Sequence, residues 1–512
     1  METAKRISRR RFIGGVAAAA AGLSPVGRAF GISRFSDPGK PNILLIVSDE
    51  HNASITGCYG NLLVQTPTLD SLAANGVVFD TFYTNSPLCV PHRLTLTSGK
   101  YVSRTSAWNN DCRLPHRFYP SLPVALNSVG YQSYLCGKMH YDPTHRYGFT
   151  ELYADGNNQG VKNGKGGRRA PDDTSVNTSS WTNRSAEFKI AESSGTINHD
   201  KKATQNAVAF LQARDPAAAP FFLLVGYLAP YFPLTVPQAN YDPYEDNVAM
   251  PVIPPGHLAS LSLNYTHLRR GFGVTDPEPD AATVKLGREL YYGLTNWLDG
   301  QVSQVLAALA ARPFADNTIV IYTTDHGENM GEHGMWWKNC MFEHAARVPL
   351  IIHWPARWAG GQRRLGACGT VDLVQTIAEL GGAGVPSDWN GDSMVDWLDH
   401  PANPWKDLAV SEYYAHNIAS GFAMLRQGRY KYVYHSRMSE TYGPQRELYD
   451  EIADPGEFAN LAGEPGQAAR VAAMHAALVA ELGEEPDDTE QRARLELAAG
   501  YSDNRAKYWQ MY

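Results

Sequence analysis

Apolar positions along the chain fall into two kinds of pattern. Residues 42–48 (Asn-Ile-Leu-Leu-Ile-Val-Ser), 131–136, 221–228, 318–323 and 349–353 are short continuous apolar runs bounded by polar or turn residues. Such runs predict strands buried on both faces. Between them, helical spacing of apolar residues predicts helices over 68–75, closed by Gly76, over 202–213 and over 281–311. Strands alternating with helices predict an α/β fold with a large, mainly parallel central sheet sandwiched by helices. After Asp392-Ser393-Met394 the runs shorten to 408–413, 421–425 and 431–434, with a turn signal at Gln427-Gly428. These predict a smaller C-terminal antiparallel sheet, joined by an Ala-rich helix over 467–482 that Gly483 ends. A charged tail then finishes in Tyr508-Trp-Gln-Met-Tyr512, an aromatic stretch suited to docking on a second copy of the chain. The expected division is therefore a main domain over 40–395 and a sheet-plus-helix subdomain with tail over 396–512.

Residues 1–29 stand outside this pattern. Ser8-Arg9-Arg10-Arg11-Phe12-Ile13 precedes a small apolar run over 14–23 and then Gly27-Arg28-Ala29. That order is expected of a twin-arginine export signal, and the run is shorter than the roughly 18 apolar residues that span a bilayer. The expected location is the periplasm or the exterior, reached through the twin-arginine machinery.

Composition narrows the class further. A chain of 512 residues with 43% hydrophobic and 11% aromatic residues buries a sizeable core, which excludes a disordered or fibrous protein. Removal of residues 1–29 takes away six basic residues and one acidic residue, moving the formal charge from −7 to −12. Nucleic acid is disfavoured as a partner. The basic stretch 162–169 reads as a solvated loop. Cys58, Cys89, Cys112, Cys136, Cys340 and Cys368 contain no Cys-x-x-Cys pair, so neither a zinc ribbon nor a dithiol redox motif is indicated.

Candidate chemistry gathers where predicted strands end. Asp49-Glu50 follows the first strand and Asp325-His326 follows the strand at 318–323. Carboxyl ends of strands form the ligand crevice of open α/β sheets. Carboxylates brought together there repel unless a cation sits among them, and oxygen donors with one imidazole suit calcium, magnesium or manganese better than zinc. The alternative is that Asp49 and Asp325 only cap loops or helices. Cys89-Val90-Pro91-His92-Arg93 opens a predicted helix, which favours a bound anion or an activated sulfur, although a lone cysteine is more often a small buried hydrophobe. In Gly137-Lys138-Met139-His140, an extended chain places Lys138 and His140 on one side, suited to gripping an anionic group. Lys338 offers another cation. Taken singly, each lysine is more often a solvated surface charge.

The ordered set Asp49-Glu50, Cys89-x-Pro91-x-Arg93, Gly137-Lys138-Met139-His140, Asp325-His326-Gly327 and Lys338 resembles the type I sulfatases of the alkaline phosphatase superfamily. Choline-sulfatase and bacterial arylsulfatase members are the most similar, through Cys58-Tyr59-Gly60, Arg347-Val-Pro-Leu350, Glu447-Leu-Tyr-Asp450, Asp454-Pro-Gly-Glu457 and Asn460-Leu461. The resemblance covers about residues 40–465 and is carried by the combination of motifs.

It implies an alkaline phosphatase-like fold and a sulfuric ester hydrolase acting on a small-molecule or carbohydrate sulfate ester. Cys89 would be oxidised to formylglycine by a formylglycine-generating enzyme. One hydroxyl of the aldehyde hydrate would attack sulfur, and the second would then expel sulfate. Asp49, Asp325, His326 and residue 89 would hold a divalent metal, most naturally Ca2+, with Mg2+ or Mn2+ as alternatives. Glu50 stands where the family places another metal-ligating Asp or Gln.

Arg93 would orient the hydrate, Lys138, His140 and Lys338 would bind sulfate oxygens, and Asn110 matches a sulfate-contacting asparagine. Tyr231 occupies a position where many relatives carry a histidine acid, and its hydroxyl offers a proton with a reference pKa of about 10. Trp336 and Trp337 are candidates to line the alcohol pocket, with 151–200 as an insertion at its mouth. Val90 and His92 replace small residues of the modification motif, whose frame Cys89, Pro91 and Arg93 is intact. His326, where other sulfatases carry Asn, points toward the phosphonate monoester hydrolase and choline-sulfatase side of the family. The alternatives are a phosphonate monoester or phosphodiester hydrolase of this fold and an unmodified sulfate-ester binding protein.

Overall fold

The computed structural model describes residues 39–114, 119–154, 156, 168–176 and 180–499. The export signal, the basic stretch up to residue 167 and the aromatic tail lie outside the described residues. In chain order the main body comprises β1 (Asn42–Ser48), α1 (Pro67–Ala74), β2 (Val77–Phe79), α2 (Cys89–Ser98), β3 (Gln132–Gly137), β4 (Thr150–Tyr153), α3 (Gly195–Ala213), β5 (Phe221–Gly226), α4 (Ala281–Ala310), β6 (Thr318–Thr324), β7 (Leu350–His353), β8 (Gln362–Arg364) and α5 (Thr370–Leu380). Its strands form one sheet in the order β8-β2-β7-β6-β1-β5-β3-β4. Only β7 runs antiparallel to its neighbours.

The apolar run of β1 is explained by two cores. Leu44 and Ile46 join one with Leu223, Val225, Val320 and Tyr322, where Ala203 and Ala207 of α3 and Leu290 and Leu294 of α4 cover the sheet. Ile43, Leu45 and Val47 join the other with Phe222, Leu224, Ile319 and Ile321, covered by Leu94 of α2 and Leu373 and Ile377 of α5. Alternate side chains of one strand thus feed opposite layers, so no position is left for a polar residue.

The main strands lie where the apolar runs predict them. β2, β4 and β8 are too short, or too polar, to register as such runs. Helix α3 begins at Gly195, seven residues before the predicted start, with the Ser194 hydroxyl accepting from Ile197 N at 3.2 Å. Its first turns bury the polar side chains of His199 and Asp200, which hides the helical period.

The smaller sheet is an antiparallel meander of β9 (Leu408–Tyr413), β10 (Phe422–Gln427), β11 (Tyr430–His435) and β12 (Gln445–Asp450). Met474, Leu478 and Leu482 of α6 (Ala468–Leu482) bury against Val410, Leu425, Tyr432 and Leu448. The charged segment after Gly483, expected as a tail, instead forms α7 (Pro486–Ala499). Its charges are used in tertiary contacts: Glu490 accepts from Gly421 N at 2.7 Å and pairs with Arg168, and Glu496 accepts from the Trp108 indole at 2.6 Å. Among the described residues no helix is long and apolar enough to cross a membrane, and none of the six cysteines is joined in a disulfide.

The small sheet is tied to the main body by buried polar contacts. Asn85 accepts from Val371 N at 2.8 Å, donates to Val410 O at 2.5 Å, and its own carbonyl accepts from Glu412 N at 2.9 Å. Lys431 is buried among Glu343 (2.8 Å), Glu451 (3.5 Å) and Glu457. Glu412 accepts from Ser103 N and from the Tyr414 hydroxyl, each at 3.2 Å. Burial pushes its carboxyl up to about 7 against the pull of the Ser103 hydrogen bond. The folded state therefore holds the proton more tightly than the unfolded chain, and Glu412 lowers stability as pH rises from 4.5 to about 7. Thermal unfolding across this window should show Glu412→Gln gaining about 3 kcal/mol on the native protein, with a plateau above it.

Candidate active site

Strand register builds the site. Ser48 and Thr324 are in-register partners at the ends of the parallel strands β1 and β6, so Asp49 and Asp325 leave the sheet side by side. One strand further, Val47 pairs with Gly226, and Gly226 with Gly137. Lys138 N donates to Gly226 O at 2.9 Å, closing the backbone over this end of β5. A Cβ on Gly226 would lie 1.9 Å from Lys138 O, so only glycine admits the approach. β3 ends at Gly137, with φ at 91°, and His140 has φ at 58°. The extended alternation expected for 138–140 is absent; Lys138 is buried against Asp49 and His140 is half-buried.

Helix α2 supplies the other half. Cys89 and Arg93, one turn apart, share a buried face, and Asn110 Oδ1 accepts from Val90 N at 3.0 Å, satisfying one of the amides exposed at a helix start. The Cys89 sulfur stands 3.3 Å from His326 Nε2, 3.5 Å from Lys338 Nζ and 4.0 Å from Asp49 Oδ1. Arg93 donates through Nε to Asp325 Oδ2 at 2.9 Å and through Nη2 to Asp49 Oδ2 at 3.0 Å. Its Nη1 donates to Lys138 O at 2.8 Å, so one guanidinium joins three strand ends. His92 turns away and bonds Thr84 Oγ1 at 2.7 Å. Burial pulls its imidazole down to about 3, leaving it neutral.

All these charges are fully or nearly fully buried, and their protonation follows from pairing. Burial and Asp325 push the Asp49 carboxyl up, but Lys138, Arg93 and His326 outweigh them and hold it below the usual range. Asp325 is held further down, Arg93 and His326 overcoming its burial. Lys138 Nζ meets Asp49 Oδ2 at 2.5 Å. Burial opposes its charge, yet Asp49 raises it above the ordinary lysine value. Lys338 Nζ lies 3.3 Å from Glu50 Oε1. Burial pushes Glu50 itself up to about 7 despite that ammonium.

Both lysines face one ring: Lys338 Nζ stands 4.1 Å and Lys138 Nζ 4.9 Å from the centre of Tyr231. Lys338 pulls the Tyr231 hydroxyl down, but burial and the neighbouring Cys89 raise it overall, so it keeps its proton.

One oxygen each from Asp49 and Asp325, the Cys89 sulfur and a His326 nitrogen all lie within 4.8 Å of one another. That spread suits a central ion with bonds of about 2.3–2.6 Å, and two ionised carboxylates with an imidazole form a donor set for a hard divalent cation. The Glu50 carboxyl is not in this group; it faces Lys338. Glu50 adopts φ at 63°, held by its N–H on Asp325 Oδ1 (3.1 Å) and by the Tyr291 hydroxyl on its carbonyl (2.6 Å). Trp337 (φ 62°) and Asn339 (φ 79°) flank Lys338 in the same left-handed region. Glu328 accepts from Trp337 N at 2.6 Å, and Tyr413 accepts from the Asn339 amide at 2.7 Å. Backbone held in this region by surrounding bonds is characteristic of sites that fix side chains in place.

Two positions were beyond sequence reasoning. Arg184, on a short helix Trp181–Ser185, lies over Trp337 (4.3 Å) and Phe232 (4.9 Å). His416 sits near enough to Lys338 and Arg184 for both to disfavour its charge, after burial, and is drawn down to about 4. Neither belongs to a motif: Arg184 comes from that short helix and His416 from the loop between β9 and β10. Trp336, by contrast, packs inward against Trp181 at 4.3 Å.

The sulfatase family model matches residues 41–383, well over half of the chain, and the chain belongs to the sulfatase family. A second model, N-sulphoglucosamine sulphohydrolase C-terminal, matches 331–484. Choline-sulfatase of Rhizobium meliloti (strain 1021) is 29% identical over 456 residues, covering 83% of either chain. Arylsulfatase K of Canis lupus familiaris is 27% identical over 465 residues, 83% of this chain and 79% of that one. The crystal structure of phosphonate monoester hydrolase of Agrobacterium radiobacter shares the fold, with a TM-score of 0.69 at 23% identity over 86% of this chain and 95% of that one. The family model and the two sulfatase relatives identify a sulfuric ester hydrolase.

Gly226→Ala should displace Lys138, lowering stability by about 3 kcal/mol and sulfatase activity at least tenfold, read by calorimetry and by turnover of an aryl sulfate. Titrating the native protein with Ca2+ should raise its unfolding temperature, and Asp325→Asn should remove most of that rise.

Proposed function

We propose that this enzyme cleaves sulfate esters to an alcohol and inorganic sulfate through a formylglycine made from Cys89, with a calcium ion held by Asp49, Asp325, His326 and residue 89. The observation that carries the reading is the position of the Cys89 sulfur, within 3.3–4.0 Å of His326, Lys338 and Asp49, at the start of a helix. When present, the aldehyde hydrate would supply a nucleophilic hydroxyl and a second hydroxyl able to release sulfate, and the ion would draw charge from the sulfate oxygens.

The chain's own residues do the rest. Arg93 fixes both carboxylates, so the ligand set is preorganised before substrate arrives. Lys138 and Lys338 converge on the space beside residue 89 and counter the negative charge of the transferring group. His326 borders both the ligand group and residue 89. Protons for the departing alcohol come from Lys338 or from the Tyr231 hydroxyl, both of which remain protonated at neutral pH. Asn110 stands at the helix start that carries residue 89, its carbonyl committed to Val90 N, and His140, two residues past Lys138, is assigned to the sulfate oxygens in the same proposal. Export through the twin-arginine machinery to the periplasm or exterior belongs to the same proposal and rests on the order of residues 8–29.

A second reading, hydrolysis of phosphonate monoesters, is favoured by the imidazole at His326 beside the nucleophile. Peptide mass spectrometry of enzyme coexpressed with a formylglycine-generating enzyme should show Cys89 converted to the aldehyde. Cys89→Ala should lower kcat for p-nitrophenyl sulfate by at least about a thousandfold. Full activity with unmodified Cys89 would overturn the mechanism, and dominant turnover of phenyl phosphonate esters would favour the second reading.

A further inference from the structure

The charges around the site nearly cancel in pairs. Arg93 and Lys138 meet Asp49 and Asp325, Lys338 meets Glu50, and Arg168 meets Glu490. Burial keeps His416 neutral. Arg184 is the exception: its guanidinium has no hydrogen bond or ion pair among the described residues. It is nonetheless half-buried and held between two aromatic faces, 4.9 Å from the centre of the Phe232 ring and 4.3 Å from that of Trp337. Those rings directly follow Tyr231 and directly precede Lys338, so Arg184 bridges the two segments that face residue 89. Its charge reaches Glu50, Tyr231 and His416.

A cation fixed by stacking, with its fork of donors unused among the described residues, is prepared for an anion that none of those residues supplies. The sulfate being cleaved is already served by Lys138 and Lys338. An anion reaching Arg184 belongs to another part of the substrate. A quaternary ammonium placed there would meet Arg184 and Lys338 as like charges, which disfavours a choline ester despite the similarity to choline-sulfatase.

We propose that Arg184 is a specificity-determining residue on the alcohol side of the site, and that the preferred sulfate ester carries a second anionic group, a carboxylate or a further sulfo group. This rests on the sulfatase reading above. Its test compares 4-carboxyphenyl sulfate with the neutral 4-carbamoylphenyl sulfate on the matured full-length enzyme. Native enzyme should favour the carboxylate in kcat/KM, and Arg184→Gln should reduce that preference about tenfold, with Arg184→Lys between them. Equal losses on both esters, or faster cleavage of choline sulfate than of the carboxylate ester, would overturn the proposal. 4-Sulfophenyl sulfate in the same series shows which anion is preferred.

A measurement free of variants gives an independent check: 4-hydroxybenzoate should inhibit the native enzyme more strongly than 4-hydroxybenzamide, and equal inhibition would also overturn the proposal. No turnover of any aryl sulfate by the matured enzyme would instead overturn the sulfatase reading, while the inhibitor binding, read by calorimetry, still decides the role of Arg184.

Discussion

Two ionised carboxylates at the ends of adjacent parallel strands, bound by one buried guanidinium, are the constraint on which the site depends. Asp49 and Asp325 must leave the sheet together because Ser48 and Thr324 are paired in register. Left alone in a dry interior they would repel and take up protons. Arg93 holds both at about 3 Å and fastens the same guanidinium to Lys138 O. Three strand ends and one helix start are thereby fixed in mutual geometry, and Cys89, one turn from Arg93, inherits its position.

This arrangement links the core to the chemistry. β1 contributes alternate side chains to two hydrophobic layers, so its register cannot slip without exposing both. A slip would also separate Asp49 from Asp325. The two glycines that let β3 and β5 approach closely, Gly137 and Gly226, serve the same end by carrying Lys138 against Asp49. Buried ion pairs contribute little net stability when their desolvation is counted, and losing one partner is far more costly than never having had the pair. Their value here is positional: acids kept ionised, lysines kept charged, and a donor set held ready for a cation.

Around that centre the enzyme has a less symmetrical rim. Tyr231 and Trp337 come from loops with no hydrophobic period, and Trp337 is held in a left-handed conformation by bonds from neighbouring segments. Arg184 enters from the polar stretch after β4, and His416 from the loop between β9 and β10. The rim is thus assembled from parts of the chain far apart in sequence. The smaller sheet contributes to it directly, because Tyr413 fixes Asn339 beside Lys338.

The sequence by itself determined the layered architecture and most of the reacting groups. Continuous apolar runs admit no solvent-facing side, and the acidic, cysteine and lysine motifs, each ambiguous alone, are specific as an ordered set that resembles one family. It left β2, β4, β8 and β12 unread as strands and took the charged segment of α7 for a tail, since short edge strands and salt-bridged helices carry weak periodicity. Only the tertiary structure decided that Glu50 faces Lys338, that 138–140 turns away from an extended course, and that Arg184 has no ion pair among the described residues. Each is a matter of which charge meets which across hundreds of residues, and pairing over such separations is set by strand register and loop packing, neither of which a local pattern of polar and apolar residues encodes.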